Sequence, residues 1–276
     1  MKLEYVVTEA MLLKEYLIHI GLSRAFCRKL KLYGKMQING NDAKNYFPVK
    51  PGDTITLEYS EAENDEIIAV NGNLDIIFED EYILIINKPN GLACQPSKRH
   101  YTDNLISIVK EYYKKEGITS NIHLVNRLDM ATSGLLIIAK SGFVHGEFRK
   151  QSIVRKYYAK VSGILQNKKD TINLPIARDN NSSILRKVDK EGKEAITHYQ
   201  VVSENDQTSI IDINLETGRT HQIRVHFAHL NHPLIGDMLY NPNPASKELY
   251  LHCYNLQFKH PITNEVLNIT KEPDWL

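Results

Sequence analysis

The stretch Asn126–Lys140, "NRLDMATSGLLIIAK", sets an Arg-Leu-Asp triplet and a small polar turn directly before an aliphatic run. The run Leu135–Ala139 reads as a buried strand, so the turn before it lies at a strand end, where loops present functional groups from a rigid scaffold. Asp129 shares that turn with Thr132 and Ser133, whose hydroxyls can stabilise it. Taken alone, an acid before Thr-Ser-Gly is more often a structural turn residue than a catalyst. The rest of the chain has to decide between the two.

The chain has 276 residues, above the roughly 100–200 of a usual single domain, which predicts one large unit and one small one. With 42% apolar and 24% charged residues it has the balance of a globular protein with a real core. No apolar run approaches the ~18 residues of a membrane helix, and "MKLEYVVTEA" lacks a signal peptide's unbroken apolar stretch. Cys27, Cys94 and Cys253 are far apart and in no metal-ligand spacing. These features predict a reduced, cytoplasmic, non-membrane protein. The net charge of +1 is unevenly spread: Arg24, Arg28, Lys29, Lys31 and Lys35 occur with no acid among them, and Glu61, Glu63, Asp65 and Glu66 cluster further on. A basic face on a near-neutral chain suits nucleic-acid binding, with a solvated helix face as the plainer alternative.

Residues 1–60 read as a self-contained unit. "EAMLLKEYLIHIG" has a helical apolar period and stops at Gly21, and "LSRAFCRKLKLYGK" restarts with Ser23 as N-cap and ends at Gly34. Strands are expected at "MQIN" and "TITLEY", beside the turn signals "NGND" and "KPGD". On the second helix Arg24, Arg28, Lys31 and Lys35 fall at i, i+4, i+7 and i+11, which places them on one face. The acidic residues 61–73 read as a linker, and 74–276 as the second unit. There, "LDIIFEDEYILIINKPNG" predicts two strands and "NLISIVKEYYKK" a helix. A helix is expected near "GFVHGEFRKQ", followed by a strand at "VRKYYAKVSG". "AITHYQVV" and "SIIDINLE" read as paired strands, "RTHQIRVHFAHL" as a helix and "ELYLHCYNLQF" as a strand. The expectation is an α+β fold: a mixed, largely antiparallel central β-sheet flanked by helices, preceded by a small αβ unit.

"ETGRTHQIRVHFAHLNHPLIGDMLY" concentrates Arg219, His221, Arg224, His226, His229 and His232. No accompanying acid completes a zinc motif, so no metal is expected and most of these histidines read as hydrogen-bonded packing residues. Taken with "NRLDMATSG", "VRKYYAKVSG" and "INKPNGL", this element resembles the RluA-type family of RNA pseudouridine synthases. The resemblance rests on Arg127–Gly134, on Thr217–His226 followed by His232–Asp237, on Arg155, Tyr157 and Ala159 (with Arg155 where Lys is more usual), and on Asn87–Leu92. It covers about Leu74 to Ile269. Over roughly Leu12 to Leu57 the first unit resembles the S-four RNA-binding module, a common arrangement in this family. One position departs from the pattern: Asn126 stands where the family usually has His.

The resemblance implies that Asp129 is the essential catalyst, that Arg224 forms its ion pair and that Tyr157 is the active-site aromatic. It implies that Arg127 enters the gap left by a flipped base, and that Arg24, Arg28, Lys31 and Lys35 contact phosphates. Whether Asp129 attacks the sugar, attacks the uracil ring or abstracts a sugar proton stays open. The isomerisation needs no redox step or group donor, and the chain carries no dinucleotide fingerprint, so no cofactor is expected. The expected partner is structured RNA, ribosomal ahead of transfer RNA, met by a monomer. The competing readings are a non-catalytic RNA-binding or ribosome-assembly protein, for which Asn126 is the one motif-level hint, and a glycoside hydrolase, which would need a positioned pair of carboxylates.

Overall fold

The computed structural model describes residues 1–61, 66–97 and 100–276. The helices are α1 (Leu13–His19), α2 (Arg24–Tyr33), α3 (Leu105–Lys115), α4 (Gly142–Phe148) and α5 (Gln222–His229). Three of them start on the side-chain caps their sequences offer: Ser23 Oγ accepts from Phe26 N, Asn104 Oδ1 from Ser107 N and Ser141 Oγ from Val144 N.

In the N-terminal part, α1 and α2 accompany a four-stranded antiparallel sheet. The basic stripe is shorter than expected. The chain leaves α2 at Gly34, whose missing side chain lets the backbone pass beside the Glu58 carbonyl; a Cβ there would lie 2.7 Å from that oxygen. Lys35 therefore sits on the strand Gly34–Ile38, paired with Asp42 at 3.3 Å, and only Arg24, Arg28 and Lys31 remain on the helix. The opposite face of α2 is apolar, and its Phe26 ring packs against Phe143 of α4 with centroids 4.3 Å apart. The expected linker includes residues 62–65, with Glu63 and Asp65 of the acidic cluster, which lie outside the described residues. Glu61, just before them, binds His123 Nε2 (2.8 Å) and Gly142 N (2.9 Å).

The expected α+β class with a largely antiparallel sheet is borne out. A ten-stranded sheet runs in the order Lys169–Asn173, Ile196–Glu204, Thr208–Leu215, Val154–Ser162, Leu251–Lys259, Ser133–Ala139, Ile83–Lys88, Asp75–Glu79, with Val266–Thr270 and His123–Leu124 added at the sides. The strands Lys2–Val6, Lys169–Asn173 and Val266–Thr270, and the hairpin Ile176–Arg178/Arg186–Val188, carry too little periodic signal in their three to five residues to be read from the sequence.

Two halves of the sheet meet where Ser133–Ala139 runs parallel to Leu251–Lys259, through Ser133↔His252 and Gly134↔Cys253. Gly134 has φ +113°, and a Cβ there would overlap the Cys253 backbone, so this junction admits only glycine. The same row continues from Cys253 to Tyr157 and from Gly134 to Lys88. Tyr157 and the loop before Gly134 are thereby set at one level of the sheet.

Two side chains pin that loop. Asn126, the departure from the family pattern, is buried; its amide donates to the Leu135 carbonyl (3.3 Å) and accepts from Ile137 N (2.8 Å), as a paired strand residue would. Lys88 is fully buried, and its Nζ donates to the carbonyls of Pro89 (2.8 Å), Leu92 (2.9 Å) and Met130 (3.1 Å), clamping the 89–92 turn to the residue after Asp129. Burial lowers the Lys88 pKa from 10.5 to about 8, which still leaves it charged at neutral pH.

Replacing Asn126 with Leu leaves a buried N–H and a buried carbonyl unpaired, and is expected to cost about 2–4 kcal/mol of unfolding free energy in urea titration. Because the folded pKa of Lys88 lies below the unfolded one, the unfolded chain binds the extra proton between about pH 8 and 10.5. The cost of burying this ammonium is therefore relieved as pH rises through that window. The stability difference between wild type and Lys88→Met should move in favour of wild type from pH 8 upward, as read by denaturation at each pH.

Candidate active site

The cleft above the sheet junction is lined by the loop Arg127–Asp129, by Arg155 and Tyr157 of Val154–Ser162, by Gly218 and Arg219, and by His221 and Arg224 at the start of α5. Alternation along the loop explains its geometry. Leu128 is buried and anchors the chain, while Arg127 is exposed and Asp129 is partly exposed, with its side chain 30% accessible.

Asp129 Oδ2 has Arg224 Nη1 at 3.5 Å and His221 Nε2 at 3.7 Å. Among the described residues, Oδ1 takes no hydrogen bond. Arg224 is itself held rigidly: its Nε and Nη2 donate to Asp237 Oδ2 (2.8 Å) and Oδ1 (2.7 Å), with Asp237 fully buried. This fork-to-fork pairing fixes the guanidinium plane and leaves Nη1 directed at Asp129. Burial works against the charge on Arg224, but the bonds to Asp237 and the nearby Asp129 outweigh it and raise its pKa. The guanidinium also stands 5.3 Å from the Tyr240 ring centroid, a cation–π distance.

Tyr157 is buried with its pKa pushed well above the phenolic range, by burial first and by its neighbour Cys253 next. Its hydroxyl stays protonated at any physiological pH. Arg155 stands two residues before it on the same strand face, its Nε buried and without a partner among the described residues. A Cβ at Gly218 would lie 3.0 Å from Arg155 Nη1, so the missing side chain there makes room for the guanidinium.

The structure brings Arg127, Asp129, Tyr157 and Arg224 into one cleft. Arg24, Arg28, Lys31 and Lys35 do not line it and are exposed on the N-terminal part. The helix expected over "RTHQIRVHFAHL" starts later, at Gln222. His221 precedes it in the left-handed region (φ 57°), and the Gln222 side chain ties the turn by accepting from Thr217 Oγ1 and Arg219 N. The histidines divide as their surroundings dictate. His226 is buried between Thr197 Oγ1 and the Leu174 carbonyl, His232 bonds the Ser162 carbonyl, and His229 is exposed. No group of three His, Cys, Asp or Glu side chains among the described residues could hold a metal. Sequence reading gave no role to Asp237 or Tyr240. Asp237 closes the His232–Asp237 motif on which the resemblance rests and Tyr240 follows it, but nothing in the sequence says that they return to Arg224 and His221.

The family model described as RNA pseudouridylate synthase matches residues 82–229, more than half of the chain. The chain is 40% identical over 242 residues to the uncharacterised RNA pseudouridine synthase YhcT of Bacillus subtilis, covering 84% of this chain and 80% of that protein. It is 34% identical over 267 residues to the ribosomal large subunit pseudouridine synthase D of Vibrio parahaemolyticus, covering 89% and 81%. The solved structure of human RNA pseudouridylate synthase domain containing 1 shares the fold, with a TM-score of 0.61 at 23% identity over 78% of this chain and 87% of that one. A loop carboxylate facing a rigidly held arginine and a buried tyrosine is thus the centre of a chain that belongs to the RNA pseudouridylate synthase family, enzymes that isomerise uridine in RNA.

Proposed function

We propose that this enzyme isomerises uridines in structured RNA, ribosomal RNA ahead of transfer RNA, with the Asp129 carboxylate as catalyst. The observation that carries the reading is the arrangement of Asp129 itself: one oxygen faces Arg224, and the other is free of hydrogen bonds among the described residues in a cleft beside Tyr157. The Arg224 guanidinium sets a fixed positive charge against the first oxygen and leaves the second turned to the cleft. The reaction breaks the bond from the ribose carbon to uracil N1 and makes one to C5; N1 regains the proton that C5 gives up, so nothing is added or lost. Tyr157, kept protonated by burial, offers a stacking face for the displaced uracil and a hydroxyl that donates.

The uridine has to leave the helix stack to reach this cleft, at a cost of a few kcal/mol. Arg127 is the group to fill the gap: it is exposed at the cleft, makes no ion pair among the described residues, and its planar cation stacks on bases. Arg155 and Arg219 add positive charge to the same cleft, which suits the phosphates flanking the flipped nucleotide. Arg24, Arg28 and Lys31 serve as a second, remote contact to RNA. All three are exposed and none makes an ion pair or hydrogen bond among the described residues, as expected of cations available to phosphates. Ribosomal RNA is favoured by the relatives named as ribosomal large subunit pseudouridine synthases.

The position of Asn126 fits a structural role that is compatible with catalysis. Its side chain is occupied with Leu135 and Ile137, and it holds the Asp129 loop in place.

The Asp129→Asn variant is expected to form no pseudouridine while keeping its melting temperature and its RNA affinity, measured by nucleoside analysis of treated RNA and by filter binding. Full activity in that variant would overturn the assignment. Reversing Arg24, Arg28 and Lys31 to Glu should weaken RNA binding at least tenfold and flatten the dependence of log affinity on log salt by about one for each phosphate no longer neutralised. Unchanged affinity would remove the docking role. Charge reversal is the cleaner test than deleting residues 1–60, because Phe26 packs on Phe143 and deletion would uncover the body of the enzyme.

A further inference from the structure

The approach to Asp129 from the α5 side is made by His221, and the hydrogen bonds behind that ring define which nitrogen carries its proton. Arg186 N donates to Tyr240 Oη at 2.9 Å, and Tyr240 Oη lies 2.8 Å from His221 Nδ1. If His221 Nδ1 carried the proton, it would have to donate to an oxygen that already accepts from a backbone amide. The tyrosine proton would then be left without an acceptor, and the bare Nε2 lone pair would face a carboxylate oxygen 3.7 Å away. With the proton on Nε2, Tyr240 donates to Nδ1, Arg186 N donates to Tyr240, and Nε2–H faces Asp129 Oδ2. The Arg186 amide, the Tyr240 hydroxyl and His221 Nδ1 then all have partners, and Nε2–H is turned to the carboxylate. The His221 side chain is only 10% exposed, so water is a poor substitute for any of these partners.

The backbone adds an independent observation. His221 has φ 57° and ψ 21°, a left-handed conformation that costs a non-glycine residue of order 1 kcal/mol or more. It sits one residue before α5, where its carbonyl accepts from Val225 N (2.9 Å) but its own side chain makes no capping bond, so the imidazole is not spent on starting the helix. What the conformation does achieve is to turn the imidazole back towards Tyr240 on one side and Asp129 on the other.

We infer that His221 is a positioning residue for Asp129: Tyr240 holds it as the Nε2–H tautomer, and that N–H, with Arg224 Nη1, fixes Oδ2 so that Oδ1 is the oxygen presented to the nucleotide. This rests on Asp129 being the catalyst. The 3.7 Å separation closes to a hydrogen bond when substrate fills the cleft, as catalytic contacts commonly tighten from their unliganded lengths. Burial lowers the His221 pKa, against Asp129, the first of its charged neighbours, which raises it; the other groups facing the ring are Arg224, Asp237, Arg186 and Tyr240. The ring is accordingly neutral near pH 7 and acts as a dipolar donor beside the carboxylate.

Nitrogen-15 NMR of histidine side chains in the whole protein reads the tautomer without any reaction. The expected result is protonation on Nε2 for His221 in wild type and a mixture of tautomers in Tyr240→Phe; protonation on Nδ1 in wild type overturns the inference. In kinetics with a uridine-containing RNA, His221→Asn, which tolerates the left-handed backbone but is too short to reach Asp129, should lower kcat about 10–100-fold. Its KM should change less than about threefold and its melting temperature stay near wild type, while His221→Gln, which restores a donor, recovers part of kcat. A His221→Asn enzyme with kcat within twofold of wild type, or a loss of activity that follows KM or unfolding alone, overturns the positioning role. Absence of pseudouridine from the wild-type reaction would instead overturn the functional reading, and the NMR result would still decide the tautomer.

Discussion

Gly134 and Cys253 face each other across the parallel junction of the large sheet, so close that a side chain on Gly134 would overlap the Cys253 backbone. Everything functional is measured from that contact. It brings Val154–Ser162, with Arg155 and Tyr157, to one side of Leu251–Lys259 and the Asp129 loop to the other. A larger residue at 134 would push the halves apart, and because interiors are packed to crystal-like density the displacement would reach the cleft rather than be absorbed. The glycine of the "ATSG" turn is thus a spacing element of the cleft as much as a turn former.

Around this junction the loop is fixed by interactions of different kinds. Asn126 uses neutral amide bonds to imitate a strand partner, and Lys88 satisfies three carbonyls with one ammonium. Neither touches the cleft's reactive face. Both are buried polar groups that are favourable only because their partners are in place, so each disfavours alternative arrangements of the loop strongly. The Arg224–Asp237 pair works in the same way on the other wall. Its two short bonds offset the desolvation of both charges and leave Nη1 of the guanidinium for Asp129. Rigidity of the supporting groups is what allows Asp129 to remain partly exposed and still well placed.

The division of charge follows the same logic. The cleft sets Arg127, Arg155, Arg219 and Arg224 against one carboxylate available to a ligand, since Asp237 is consumed by Arg224. That excess suits a polyanion whose phosphates bring their own negative charge, and it explains how a protein with a net charge of only +1 can hold RNA. The remote cations of α2 repeat the pattern on a second surface, with Phe26 on the opposite face tying that helix to the enzyme body.

Much of this was legible in the sequence. The buried strand at Leu135–Ala139, the capped helices and the alternating strands at Ile196–Glu204 and Thr208–Leu215 follow from local periodicity, which short segments carry in full. The residues Arg127, Asp129, Tyr157 and Arg224 were recognisable because their motifs are long and ordered along the chain. The helix end at Gly34 was legible, but that Lys35 just beyond it leaves the basic face for a strand was not, because the direction of the chain there is set by the Glu58 carbonyl beside Gly34 and by strand pairing. Nor did local sequence reveal that Asp237 holds Arg224, that Tyr240 bonds His221, or that Asn126 replaces a strand partner. Those are contacts between residues 9 to 19 positions apart, and their strength comes from burial and direction, which exist only once the chain has folded around them.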